Sequence, residues 1–337
     1  MKNKKINILI LFIMIILVLY FTLKDNFSEI MIAISNVNIY IFLFSIVIFI
    51  LSLFFKSISF LIFIKDYSKD YTLKDAFNIT LISQFLNGIT PFQSGGQPFE
   101  IYLLKKRNIR ITDSTNALLK DFIAFQIALI LMGIFSIIIL FRGDIIKTNN
   151  YLLFIILIGF VINFSVLLIL FIFSSAKCTG IKIANKIVDF IFKFNITKKL
   201  NLNKQKIINS INHFYETSKT LKDNKYKLLI AIINNLIYLI LLYIIPLLIF
   251  RSLGYNGINI LRSIVVTSFV MLIGNFIPIP GATGGIEFGF IKLFESFVKG
   301  PILSTAMLLW RTVTYFLAMV IGSVALLFER GGVKKWK

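Results

Sequence analysis

The chain has 337 residues, 58% of them hydrophobic and only 15% charged, with a mean hydropathy of +0.88. Soluble domains carry roughly a quarter of their residues charged, so composition excludes an ordinary globular enzyme and predicts a polytopic, all-α integral membrane protein. The formal charge of +21 comes with no compact basic domain or binding motif, so it is assigned to cytoplasmic loops and anionic lipid rather than to nucleic acid.

In chain order, Met1-Lys2-Asn3-Lys4-Lys5 precedes an apolar run from Ile6 to Leu23. The run is longer than the core of a signal peptide and no small-x-small cleavage site follows, which predicts a retained first transmembrane helix at 6–23. Further full spans are predicted at about 39–64, 116–141, 151–175, 228–250 and 303–328. Two other apolar stretches, about 76–90 and 263–280, are too short to cross and break at a repeated motif. The first copy runs Asn87-Gly88-Ile89-Thr90-Pro91-Phe92-Gln93-Ser94-Gly95-Gly96-Gln97-Pro98-Phe99-Glu100. The second runs Asn275-Phe276-Ile277-Pro278-Ile279-Pro280-Gly281-Ala282-Thr283-Gly284-Gly285-Ile286-Glu287. Aligning Pro91 with Pro280 puts Gly95-Gly96 on Gly284-Gly285, with Asn upstream and Glu downstream in both copies. Paired Gly/Pro breaks in two halves of a membrane chain point to a transporter's binding site, and predict two re-entrant or broken hairpins. The alternative is a pair of tight turns outside the membrane.

Basic residues set the orientation. Lys2, Lys4 and Lys5, then Lys65, Lys69 and Lys74, then Lys105, Lys106, Arg107 and Arg110, then the segment 176–227 and the tail from Arg330 to Lys337 all fall on one side by this count. The expectation is a multi-pass prokaryotic cell-membrane protein with both termini cytoplasmic. It is one transmembrane domain, 1–337, with a first repeat half at 39–175, a basic cytoplasmic linker at 176–227 and a second half at 228–330. The hairpins would enter from opposite sides, as in an inverted repeat. Apolar residues at helical spacing within 176–227 suit amphipathic helices on an anionic leaflet, or a solvated linker.

The repeat also selects candidate residues. Unwound backbone at the glycines would offer amides and a helix N-terminus to a lipid phosphate. Asn87, Thr90, Pro91, Gly95, Gly96, Gln97, Asn275, Pro280, Gly284 and Gly285 are the candidates there, with Glu100 and Glu287 placed to meet a cation or cap a helix. Lys120 and Asp121 lie inside the third span and Arg311 inside the last, 24 residues after Gly96 for Lys120 and 26 after Gly285 for Arg311. Ionisable residues at membrane depth are functional candidates, unless they snorkel to the interface. Lys56 lacks a repeat partner and ranks below these. One cysteine, Cys178, and one histidine, His213, cannot build a disulfide, a cysteine-cluster metal centre or a histidine-rich zinc or haem site, so no cofactor is expected. No Walker A, GxSxG, HExxH or GxGxxG motif stands in its structural setting, so the chain is not expected to hydrolyse ATP or to be an enzyme.

Asn87…Thr90-Pro91…Gly95-Gly96-Gln97-Pro98, and later Pro280…Gly284-Gly285-Ile286-Glu287 with Arg311, resemble the flippase-like membrane domain of lysylphosphatidylglycerol synthases and its free-standing relatives. The resemblance covers nearly the whole chain. It implies movement of a phospholipid or lipid-linked headgroup between leaflets. The aminoacyl-transferase domain that follows in the synthases is not expected, because the chain ends at Lys337 just past its last span. The family usually has an acidic residue where Gln97 stands, so no carboxylate role carries over to that position. The implied partners are an anionic or polyprenyl-linked lipid substrate, an anionic surface at 176–227, a separately encoded lipid-modifying enzyme and a second copy of the chain. Two other readings remain: a membrane-embedded subunit of a lipid or polyprenyl-phosphate transferase, and a scaffold that localises an enzyme through 176–227.

Overall fold

The computed structural model describes residues 35–90, 95–142, 150–175, 224–274 and 280–329, with single positions between 205 and 212. The predicted span at 6–23, Pro91, Asn275, nearly all of 176–227 and the tail from Arg330 lie outside the described residues. Every regular element among the described residues is helical.

Helix α1 is Ile39–Ile64, entered through Asn38, whose side chain accepts from the amides of Tyr40 and Ile41. Helix α2 is Leu73–Ile89, started by a capping box of Thr72 and Asp75. There follow α3 (Gly96–Lys106), α4 (Ile111–Arg142), α5 (Asn150–Ser175), α6 (Lys225–Ser252) and α7 (Ile260–Gly274). A short 3₁₀ turn at Pro280–Ala282 leads to α8 (Gly285–Phe294) and α9 (Pro301–Arg311). A π turn at Thr312–Phe316 joins α9 to α10 (Leu317–Phe328). Helices α1, α4, α5, α6 and the continuous α9–α10 unit are long and apolar enough to cross a membrane, in agreement with five of the six predicted spans. The interrupted stretches are shorter, at 17 residues for α2 and 15 for α7. At 1.5 Å per residue they reach about 25 and 22 Å, short of the roughly 30 Å hydrocarbon layer.

Antiparallel α1 and α6 form the most extensive helix pair. Ser45, Ser52 and Ser59 repeat at heptad spacing on α1 and are fully buried, so one face of small side chains lets the axes approach. Ser45 and Ser52 satisfy their hydroxyls on the carbonyls of Phe42 and Phe49. Ser59 accepts from Asn235 of α6 at 2.6 Å. At one end of the pair Lys227 is bonded to Asp66, and at the other the Asn38 amide donates to the Ser252 carbonyl at 2.7 Å.

Pro246 interrupts α6 and removes one amide from its ladder. Ser263 of α7 repairs the turn beside it. Its hydroxyl donates to the Tyr243 carbonyl at 2.8 Å and accepts from the Leu247 amide at 3.2 Å. Backbone groups freed by a proline in lipid need such a neighbour. Ser263→Ala is therefore expected to destabilise the protein by about 1–3 kcal/mol, the cost of leaving buried polar groups unmet. Thermal unfolding in detergent checks it, with Ser263→Thr, which restores the hydroxyl, as the control.

The two interrupted segments open to opposite ends of the bundle. Helices α2 and α3 begin and finish at the end marked by Asp66, Lys227 and Glu329. There Arg107 bonds Asp75 at 2.6 Å and Glu329 at 2.9 Å, and its guanidinium lies over Tyr71. Burial alone would raise the Asp75 carboxyl, but hydrogen bonds from Thr72 and Arg107 outweigh it and hold it below the ordinary carboxylate range. A depressed value means that this clamp contributes stability above about pH 4 and loses it only as pH falls through the depressed value. Helices α7 and α8 begin and finish at the other end, where the Tyr255 hydroxyl donates to the Phe297 carbonyl. Helix α10 packs closely on α2, since a Cβ at Gly322 would lie 2.3 Å from the Leu81 carbonyl oxygen.

Two apolar cores result. One gathers Phe60, Phe63, Ile79, Ile82, Leu103 and Ala117 at the Arg107 end. The other is larger and includes Phe250, Phe294 and a stack of Phe290 on Trp310 with centroids 4.8 Å apart. Side chains such as Leu43, Val47, Phe135, Ile138, Phe154 and Val161 remain exposed on the outer surface, as expected of a bundle that faces lipid.

Candidate functional site

A polar layer lies where the two cores meet. On α1, Lys56 falls between Leu53 of one core and Phe60 of the other; on α6, Asn235 falls between Leu239 and Ala231. Lys56 reaches Asp121 of α4 at 2.8 Å and Asn235 at 3.2 Å. Ser59 donates to the second oxygen of Asp121 at 2.5 Å. The Lys56 ammonium also sits 4.9 Å from the centre of the Phe125 ring. Both oxygens of the Asp121 carboxylate thus have a partner, which is what burial of an ion pair requires.

Beside this layer is a cavity of about 320 Å³. Lys56, Asp121 and Tyr238 line it from the long helices, Ser83, Gln84 and Asn87 from α2, and Gln97 and Glu100 from α3. Ser83 bonds the Glu100 carboxylate across the first hairpin. Phe60, Leu118, Phe122 and Phe125 contribute to a mixed wall, in which the polar side chains stand along stretches of α1, α4 and α6 that are otherwise apolar.

The second break is built around Arg311. Its guanidinium pairs with Glu287 at 2.8 Å, donates to the Gly281 carbonyl at 3.2 Å and lies 4.1 Å from the centre of the Tyr315 ring. Both members of the pair are buried. The π turn begins at Thr312 and carries Tyr315. The other Glu287 oxygen accepts from the Gly284 amide at 2.7 Å and caps α8. Gly281 has φ +62° and Gly284 φ +88°, conformations that disfavour a side chain. A Cβ on Gly281 would also strike Tyr315 at 2.3 Å.

Tyr315 ties the two breaks together, because its hydroxyl donates to the Gly88 carbonyl of α2 at 3.0 Å. A smaller cavity of about 120 Å³ lies there, lined by Gly88, Gly281, Arg311, Tyr315, Tyr243 and Trp310 among others. It shares Gln84, Asn87, Phe125 and Tyr238 with the larger one, so the two adjoin. The Tyr243 hydroxyl and the Trp310 indole nitrogen are buried donors with no partner among the described residues.

Two expectations are corrected. The glycine amides of the first break are not free donors for a phosphate. The Gly95 amide donates to Thr90 Oγ1 and the Gly96 amide to Asn87 Oδ1, both at 2.8 Å. These glycines are needed because a Cβ on Gly96 would lie 2.7 Å from Asn87 Oδ1 and one on Gly95 2.4 Å from Thr90 Cγ2. The Asn and Thr of the motif are internal caps, and the Gly284 amide is likewise engaged by Glu287. Lys120 is also misplaced by the repeat argument. It is buried against Tyr67, with its ammonium 3.2 Å from the hydroxyl, and lines neither cavity. The cavity cation of the first half is Lys56. Pro280 forms the 3₁₀ turn and Gly285 opens α8; Asp121, Glu100 and Gln97 line the larger cavity, Arg311 the smaller, and Glu287 caps α8. Asn235, Ser83, Gln84 and Tyr315 were missed. An Asn-Asn pair inside the apolar run 228–250 was the available signal for Asn235.

The model of the lysylphosphatidylglycerol synthase TM region matches residues 6–322, both breaks and both ion pairs included. The chain belongs to this family. Two relatives are free-standing members described as UPF0104 membrane proteins. That of Archaeoglobus fulgidus is 26% identical over 257 residues, covering 73% of this chain and 74% of the relative. That of Methanocaldococcus jannaschii is 27% identical over 282 residues, covering 82% of this chain and 81% of the relative. In this member of the lysylphosphatidylglycerol synthase TM family, Gln97 still faces the larger cavity, so that position offers an amide there.

Proposed function

We infer that the protein is a lipid translocase, which passes a phospholipid or lipid-linked headgroup between leaflets while the acyl or prenyl tails stay in the bilayer. The observation that carries this reading is the pair of adjoining cavities that bring polar and charged side chains together at the meeting point of two interrupted segments, inside a bundle with an apolar exterior. Such segments, read as re-entrant hairpins from opposite faces of a cell membrane, are the arrangement that supports alternating access. Arg311, Tyr243 and Trp310 would supply donors to a phosphate in the smaller cavity, and Glu100, Asp121, Gln84 and Gln97 would serve the rest of the headgroup in the larger. The chain acts by binding and release, with the basic segment 176–227 resting on the anionic cytoplasmic leaflet and both termini on that side.

The test is lipid scrambling by the purified protein in proteoliposomes with headgroup-labelled anionic, aminoacylated and polyprenyl lipids. Movement of one class above protein-free vesicles supports the reading, and movement of none by a well-inserted protein sinks it. A second reading, a lipid or polyprenyl-phosphate transferase subunit, is favoured by one observation: Asp121 and Glu100 face one cavity from different helices. It predicts a covalently altered lipid when a donor is supplied, which chromatography of the same vesicles would reveal.

A further inference from the structure

The larger cavity has more negative than positive groups. Lys56 of α1, Asp121 of α4 and Glu100 of α3 are the charged residues that line it, and Tyr238 of α6 is the other titratable one. Lys56 is committed to Asp121 and Asn235. Among the described residues Glu100 has no ion-pair partner, and its hydrogen bond is to the neutral hydroxyl of Ser83 on α2. Glu100 is partly buried at the cavity wall. An ionised carboxylate that has lost much of its hydration with no ion-pair partner is costly, so such a group takes a proton more readily than one in water. The Asp121 charge across the cavity adds to that cost and the Lys56 charge opposes it. The Ser83 hydroxyl can donate to the carboxylate or accept from the acid, so it serves both states.

We propose that Glu100 is a proton-exchange site, protonated while the cavity holds no cationic group and ionised when one enters. On entry the carboxylic O–H bond breaks, its proton leaves to water, and the carboxylate receives the cation; no electron is transferred. A headgroup ammonium and a free amine carry the same charge. If the cavity is the path of a translocated lipid, which rests on the function inferred above, each cycle exchanges a headgroup for a proton and a proton gradient drives it.

Infrared difference spectroscopy of the full chain in lipid nanodiscs tests the site without transport. The wild type is expected to show a carboxylic-acid carbonyl band at neutral pH that disappears on raising the pH. Glu100→Gln, nearly isosteric and checked for wild-type elution and melting, should lack that band at every pH. In Asp121→Asn the freed Lys56 should turn to Glu100 and shift the loss of the band to lower pH. Short-chain phosphatidylethanolamine should abolish the wild-type band at neutral pH and short-chain phosphatidylglycerol should not; loss with ethanolamine alone would assign the effect to the amine itself. The same band in Glu100→Gln, or no band in the wild type near neutral pH, overturns the proposal. In proteoliposomes a pH gradient should bias lipid movement in the wild type and not in Glu100→Gln, and movement indifferent to the gradient overturns the coupling. No lipid movement at any pH would instead overturn the translocase reading, and the infrared band would still decide the proton site.

Discussion

Arg311→Ala is expected to lose lipid movement entirely and to lower stability as well. The guanidinium is the counter-charge for buried Glu287, the donor to the Gly281 carbonyl and the cation on the Tyr315 ring. Removing one member of a buried pair leaves an uncompensated charge, at a cost of about 3–5 kcal/mol. Loss of transport by this variant alone could therefore reflect a collapsed break. The double variant Arg311→Met with Glu287→Gln separates the two effects, since it keeps side-chain bulk and leaves no buried charge. It should melt near the wild type and still fail to move lipid. Recovery of transport in the double variant would make Arg311 a structural residue only. Arg311→Lys is expected to fall between, because an ammonium cannot reach Glu287 and the Gly281 carbonyl with one planar fork.

The second large effect is expected at Lys56. Lys56→Met strands Asp121, whose remaining partner among the contacts seen is Ser59, and should cost a similar 3–5 kcal/mol. Lys56→Met with Asp121→Asn should recover most of that loss, because a neutral amide can still accept from Ser59. Melting temperatures of the two variants in detergent check the stability arm. Headgroup-labelled scrambling checks the other: Lys120→Met, at a residue outside both cavities, should retain transport that Lys56→Met loses. Equal loss from both would return Lys120 to the site.

The long spans were legible because twenty or more apolar residues in a row admit few other structures; α1 was predicted at 39–64 and is Ile39–Ile64. The interrupted segments were legible because proline and glycine disrupt a helix whatever surrounds them. What failed was the assumption that the repeat would carry its chemistry symmetrically. It paired Lys120 with Arg311 by distance from the glycines, whereas the cation of the first half comes from α1, 65 positions before its partner Asp121. Long-range pairing of that kind leaves no mark in local sequence. The use of Asn87 and Thr90 as acceptors was nearer to hand, since short polar side chains beside a break commonly serve its orphan amides. The π turn after Arg311 had no signal, because Thr312-Val313-Thr314-Tyr315-Phe316 reads as ordinary apolar helix.

The serine-faced pair of α1 and α6 has a mechanical consequence. These helices come from different halves of the chain, yet they are fastened at both ends and closely mated along their length. Such a contact opposes rocking of the two halves against each other as rigid lobes. On the translocase reading this pair would serve as the fixed frame, and the short interrupted segments beside it would be the parts that move. If the translocase reading holds, a crosslink between α1 and α6 should leave turnover intact, whereas one that fixes Gly88 of α2 to Tyr315 of the α9–α10 unit should stop it.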